Sequence, residues 1–174
     1  MSSNESHILQ AKLYDPQGNI VWNANMQDTF EIPVENTSLW SSEYPNLYQL
    51  EIVLYDSNNE IIETIQEQVG FRKFTLEYGI MKLNGKRIVF HGINRHEWNA
   101  KTGRAITYEQ MEEDIHMLKA LNINAVRTSH YPNNSYWYKL CDQYGIYVID
   151  EMNLETMVLM TSSHKTKQNG PIVY

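Results

Sequence analysis

Hydrophobic and polar residues alternate one by one through the first part of the chain, and turn signals interrupt the alternation. Leu9, Ala11 and Leu13 alternate with polar neighbours, Asp15-Pro-Gln-Gly18 reads as a turn, and Ile20-Val21-Trp22 follows. A short alternation falls on Thr29 to Ile32. Leu47 to Tyr55 then alternates, Asp56-Ser-Asn-Asn59 turns, and Ile61 to Val69 returns, which predicts a β-hairpin. Several short strands separated by turns between residue 7 and residue 78 predict part of an immunoglobulin-like β-sandwich. Phe71 to Ile80 reads as the crossing out of that unit, and Met81-Lys-Leu-Asn-Gly-Lys86 as a small hairpin.

Beyond residue 88 the period changes. Ile88-Val89-Phe90 predicts a strand with Gly92 to Glu97 as its polar end. Thr107-x-x-Gln110 is a capping box, in which hydroxyl and amide each satisfy an exposed helix N–H. The helix that it opens carries Met111, Ile115, Leu118 and Leu121 on one side, with Glu112, Glu113, His116 and Lys119 mostly on the other. Ala125 to Thr128 predicts a second strand, stopped by Pro132. Trp137, Leu140, Cys141 and Tyr144 recur at helical spacing, and Gly145 ends that helix at a position needing positive φ. The continuous apolar run Ile146 to Ile149 predicts a third strand, parallel and buried on both faces. The order β-α-β-α-β amounts to the first three strands and two helices of a (β/α)₈ barrel. Three segments are expected: a partial sandwich over 1–78, the start of a barrel over 79–156, and a divergent, disordered tail over 157–174.

Composition narrows the picture. The 174 residues are 42% hydrophobic and 20% charged, as in a soluble globular protein, and the length can bury a core. A net charge of −7 without a Lys/Arg patch argues against nucleic acid or anionic membrane as partner. The single cysteine, Cys141, excludes an internal disulfide and sits on an apolar helix face, so a buried, inert thiol is expected. No signal-peptide pattern or bilayer-length apolar run is found, which points to the cytoplasm.

Side chains able to do chemistry gather where the predicted barrel strands end: Asn94, His96 and Glu97; Arg127, Ser129, His130 and Tyr131; Asp150, Glu151, Asn153 and Glu155. Strand ends of this kind form the active-site rim in α/β folds. Asp150 and Glu151 are adjacent on a strand and leave by opposite faces. Glu151 and Glu155 share a face but stand about 13 Å apart in an extended chain, far from the roughly 5–5.5 Å of a retaining glycosidase pair. His91, His96, Glu97, His116 and His130 lack zinc-type spacing, so no metal site is expected. Adjacent Ser129 and His130 do not form an oriented serine relay.

Asn124-Ala-Val-Arg-Thr-Ser-His-Tyr-Pro132, Trp137-Tyr138, Asp142 and Gly145-Ile-Tyr-Val-Ile149 together resemble the first signature of glycoside hydrolase family 2, nearest to its bacterial β-galactosidases. Trp40-Ser-Ser-Glu-Tyr-Pro-Asn-Leu-Tyr48, Val69-Gly-Phe-Arg72, Leu83-Asn-Gly-Lys86, Gly92-Ile-Asn-Arg-His-Glu97 and Asp150-Glu-Met-Asn-Leu-Glu-Thr156 extend the likeness in the same order. It ends abruptly: Met157 stands where the family places a histidine. The resemblance implies hydrolysis of terminal non-reducing β-D-galactosides with retention, by two glutamates on later barrel strands that this sequence does not reach. It implies that Arg127 supports the nucleophilic carboxylate, with a plain ion pair to Asp150 or Glu151 as the alternative. Asn94, His96, His130, Glu151 and Asn153 are then sugar-pocket candidates. The magnesium and sodium ions of the family's enzymes are held by residues outside this sequence. A chain of this kind is expected to be inactive alone, to self-associate or to need a complementing remainder of the enzyme. A non-catalytic carbohydrate-binding or assembly module, or the remnant of a truncated reading frame, are the other readings.

Overall fold

A computed structural model describes residues 8–26 and 31–153. The first segment forms a four-stranded antiparallel sheet in the order β2-β1-β3-β4, from β1 (Ile8–Tyr14), β2 (Ile20–Met26), β3 (Tyr48–Tyr55) and β4 (Ile61–Val69). The alternation in the sequence sets its two faces. Ala11 lies opposite Ile52 and Leu13 opposite Leu50 and Trp22 on the apolar face. On the other face Glu51 accepts hydrogen bonds from Tyr14 and Gln66 and pairs with Lys12 at 3.6 Å. The hairpin β3–β4 turns where Asp56 collects the N–H groups of Asn58 and Glu60 on its carboxylate, each at 2.8 Å. The alternation expected at Thr29 to Ile32 gives no strand at Glu31 and Ile32, and Thr29 and Phe30 lie outside the described residues.

A second antiparallel sheet, β5-β6-β7, comprises β5 (Phe74–Glu77), β6 (Ile80–Leu83) and β7 (Lys86–Arg87). The segment read as a crossing thus contains a strand of its own.

The third sheet is parallel, ordered β10-β9-β8, with β8 (Gly92–Arg95), β9 (Ala125–Thr128) and β10 (Tyr147–Ile149). Its first strand lies four residues later than the apolar run Ile88–Phe90 suggests. That run is irregular because other partners take its backbone groups. Ile88 N–H donates to Met81, while the Asn124 side chain accepts from His91 N–H and donates to the Val89 carbonyl.

Helices α1 (Tyr108–Ala120) and α2 (Ser135–Tyr144) cover one face of this sheet. Met111, Ile115 and Leu118 of α1, and Trp137, Leu140 and Cys141 of α2, close on Val126 and Ile146 as the core. Leu121 is the exception to the expected face: it is the C-cap of α1 and is 64% exposed. Ile149, expected to be buried on both sides, is 49% exposed, because β10 is a sheet edge among the described residues and its other face has no covering layer. Burial pushes the Cys141 thiol up to about 12, so at neutral pH it is a protonated core group. The capping box is formed in both directions, Gln110 N–H to Thr107 Oγ1 and Thr107 N–H to Gln110 Oε1. Thr107→Ala is therefore expected to cost about 1 kcal/mol, visible as a melting point lower by about 2–4 °C.

Trp40 joins the two halves. Its ring packs edge-on to Tyr147 at 5.8 Å and lies under the Arg72 guanidinium at 5.0 Å, and Nε1 donates to the Asp142 carbonyl at 2.8 Å. Its own backbone is tied to Phe71 and to the Asn84 side chain. Gly145 completes the joint: at φ 70° it caps α2, and its backbone passes so close to Ser42 that an added Cβ would lie 2.3 Å from the Ser42 carbonyl oxygen. Among the described residues, no helix is long and apolar enough to cross a membrane.

Candidate active site

The candidate residues come together at the C-terminal ends of the three parallel strands. Strand register explains why. Asn94, Arg127 and Ile149 lie side by side on neighbouring strands. Because Val126 faces the helices, alternation turns Arg127 and its partners to the opposite, uncovered face. Two residues beyond Ile149, Glu151 leaves on that same side.

Arg127 is the hub. Its Nε donates to Glu151 Oε1, and its Nη1 to Asn94 Oδ1 at 3.3 Å. Among the described residues Nη2 has no hydrogen-bond partner, so one edge of the guanidinium remains for a further acceptor. The other Glu151 oxygen meets His130 Nδ1 at 3.3 Å, and the His130 ring packs edge-on to His96 at 5.4 Å. Asn94, His96, Arg127, His130 and Glu151 are thus one polar cluster. The ion pair to Glu151, one of the two alternatives left open for Arg127, is present. Asn153 stands exposed two residues further on, outside the cluster's hydrogen bonds.

The remaining carboxylates point elsewhere. Asp150 leaves by the helix side, where Thr128 Oγ1 and Tyr138 hydroxyl donate to it at 2.8 and 2.6 Å. Desolvation first, and the Asp150 carboxylate second, push the Tyr138 hydroxyl up to about 12, which keeps it a donor. Glu97 turns to the start of α2 and accepts from Asn134 N–H at 2.8 Å. Glu155 lies outside the described residues. Tyr131 packs rather than projects: its hydroxyl accepts from Glu97 N–H, and its ring meets the His96 ring at 6.4 Å and the Arg104 guanidinium at 5.6 Å.

Sequence reasoning missed Arg95. It is a charged residue in the core, 5% exposed, and no hydrophobic periodicity marks it. A cleft of about 850 Å³ lies at the other end of the strands around His91 and Asn124 and shares no residue with the rim cluster. Among the described residues, no three His, Cys, Asp or Glu side chains are close enough together to hold a metal ion.

Two family descriptions match consecutive parts of the chain: glycosyl hydrolases family 2 over residues 2–72, and the TIM barrel domain of glycosyl hydrolases family 2 over residues 74–172. This chain belongs to glycosyl hydrolase family 2. A β-galactosidase of Halalkalibacterium halodurans is 54% identical over 160 residues, which is 89% of this chain and 16% of that protein. The β-galactosidase BgaC of Bifidobacterium adolescentis is 50% identical over 157 residues, covering 87% of this chain and 15% of its own length. The family 2 chain thus spans about 16% of such relatives. Among solved structures, the β-glucuronidase of Ruminococcus gnavus in complex with D-glucuronic acid superposes with a TM-score of 0.77 at 30% identity, over 86% of this chain and 26% of that one. A β-glucuronidase of Parabacteroides merdae gives 0.78 at 28% identity, over 84% and 19%. A β-sandwich segment followed by the start of a TIM barrel fits both kinds of match.

Proposed function

We propose that this chain forms the first part of the active-site rim of a retaining β-galactosidase and does not hold the reacting pair. The observation that carries the reading is the Arg127–Glu151–His130–Asn94 cluster at the parallel strand ends, in a chain about half identical to named β-galactosidases. Retaining hydrolysis needs a nucleophilic carboxylate and an acid/base carboxyl about 5–5.5 Å apart across the scissile bond. Among the described residues Glu151 is the carboxylate turned to the rim, and Arg127 already neutralises it. Asp150 and Glu97 are engaged on the helix side and at the start of α2.

Arg127 then has a clear task. A strand-end guanidinium with a remaining donor edge holds an incoming carboxylate by charge-assisted hydrogen bonds and keeps it ionised for attack. His130, His96 and Asn94 supply donors and acceptors for sugar hydroxyls around it. The two parallel edges, β8 and β10, are where further barrel strands carrying the nucleophile and the acid/base pair on, and closure turns the uncovered face into the barrel interior.

The test is hydrolysis of a chromogenic β-galactoside by residues 1–174, alone and mixed with the separately produced remainder of a close relative. Activity on mixing only is the expected result. Turnover by residues 1–174 alone would contradict it.

A further inference from the structure

Arg95 sits on the helix side of β8, with its back to the rim, and yet it grips the loop that carries His130. Its guanidinium lies 3.7 Å from the centroid of the Trp137 ring. Nε and Nη2 donate to Asp114 Oδ2 at 3.2 and 3.0 Å, and Nη1 donates to Asn133 Oδ1 at 2.8 Å. The Arg95 backbone carbonyl accepts from Ser129 N–H at 2.9 Å. The loop from Ser129 to Asn133 is therefore held at both ends by one residue, with His130 between the two grips.

The network continues to the other half of the cluster. Asn133 N–H donates to the Tyr138 hydroxyl at 2.8 Å, and Tyr138 donates to Asp150. Thr128 Oγ1 donates to the same Asp150 oxygen and accepts from Glu151 N–H at 3.0 Å. One continuous set of hydrogen bonds thus runs from Arg95 to the backbone of Glu151. A charged group this buried persists only where its donors are met: Asp114 of α1 takes two of them, Asn133 of the loop takes the third, and the Glu97 carboxylate stands 3.7 Å from Nη1.

We propose that Arg95 is a positioning residue that sets His130 and Glu151 of the rim from the helix side of the sheet. Its shape matters as well as its charge. Only a planar fork can lie flat on Trp137 while reaching Asp114 and Asn133 in different directions, and a lysine ammonium cannot do this. The relevance to catalysis rests on the galactosidase reading of the rim, but the positioning itself does not.

The test uses residues 1–174 as Arg95→Lys and as Asn133→Ala, the latter leaving Arg95 on Asp114 and Trp137. The readout is the through-space NMR cross-peak between the His96 and His130 rings, with cross-peaks of the Ile115, Leu118 and Leu140 core as the fold control. Loss of the His96–His130 cross-peak with the core intact is the expected result in both variants. If Arg95→Lys fails to fold, Asn133→Ala decides alone. A retained cross-peak in a folded variant overturns the proposal. In the reassembled enzyme both variants are expected to lose about 10²-fold in kcat/KM, the scale of a misplaced catalytic constellation. If the wild-type assembly shows no galactosidase activity, the functional reading fails while the NMR result still stands.

Discussion

Gly145→Ala is expected to destabilise the chain by about 3 kcal/mol or more, where most glycine substitutions cost far less. Two effects add. The residue sits at φ 70°, so any side chain there carries the left-handed penalty of about 1–2 kcal/mol. The new methyl would also lie 2.3 Å from the Ser42 carbonyl oxygen, a backbone atom that cannot swing aside as a flexible side chain does. Overpacking of this kind adds about 1–3 kcal/mol. Relief has to come from parting the joint, and that pulls on the Trp40 bond to Asp142. The control is Gly18→Ala, at φ 86° with nothing within 4 Å of the added Cβ, which isolates the backbone effect. In denaturant unfolding, the Gly145 variant is expected to fall well below the Gly18 variant. Equal losses would mean that the close approach to Ser42 is not maintained in solution.

Arg127 gives the largest effect on function. In an enzyme reassembled from this chain and the remainder, Arg127→Met is expected to lower kcat/KM by about 10³-fold, the scale for removing a preorganised donor from a reacting centre. Arg127→Lys is expected to recover little of this. The guanidinium serves Glu151 through Nε and Asn94 through Nη1, and presents Nη2 to a third acceptor. An ammonium is a point charge without that fork. If Lys restored wild-type rates, Arg127 would act through charge alone, and the geometric account would fail.

Much of this arrangement was legible in the sequence, for identifiable physical reasons. The capping box at Thr107, the apolar face of α2 and the Gly145 cap are local signals, and each appears where its residues sit. The hairpin β3–β4 was legible because alternation and an Asp-Asn turn agree. The first parallel strand lies later than apolarity predicts, at Gly92–Arg95 rather than at Ile88–Phe90. Gly92-Ile-Asn-Arg95 is poor in apolar residues since one face carries the rim and the other holds Arg95 under Trp137. Ile88–Phe90 is apolar but tied to the small hairpin and to Asn124. The divergence of Asp150 and Glu151 followed from strand alternation alone. The convergence of Arg127, His130 and Glu151 did not, because it depends on how three strand ends and their loops lie in space.

The central claim is that this chain supports the nucleophile without carrying it. The most direct measurement is to react the reassembled enzyme with a slow-turnover fluorinated galactoside, which traps the glycosyl-enzyme ester, and to locate the added mass by peptide mass spectrometry. The label is expected on a glutamate of the remainder, with residues 1–174 unmodified and Arg127→Met strongly slowing its formation. A label on Glu97, Asp150, Glu151 or Glu155 would contradict the account.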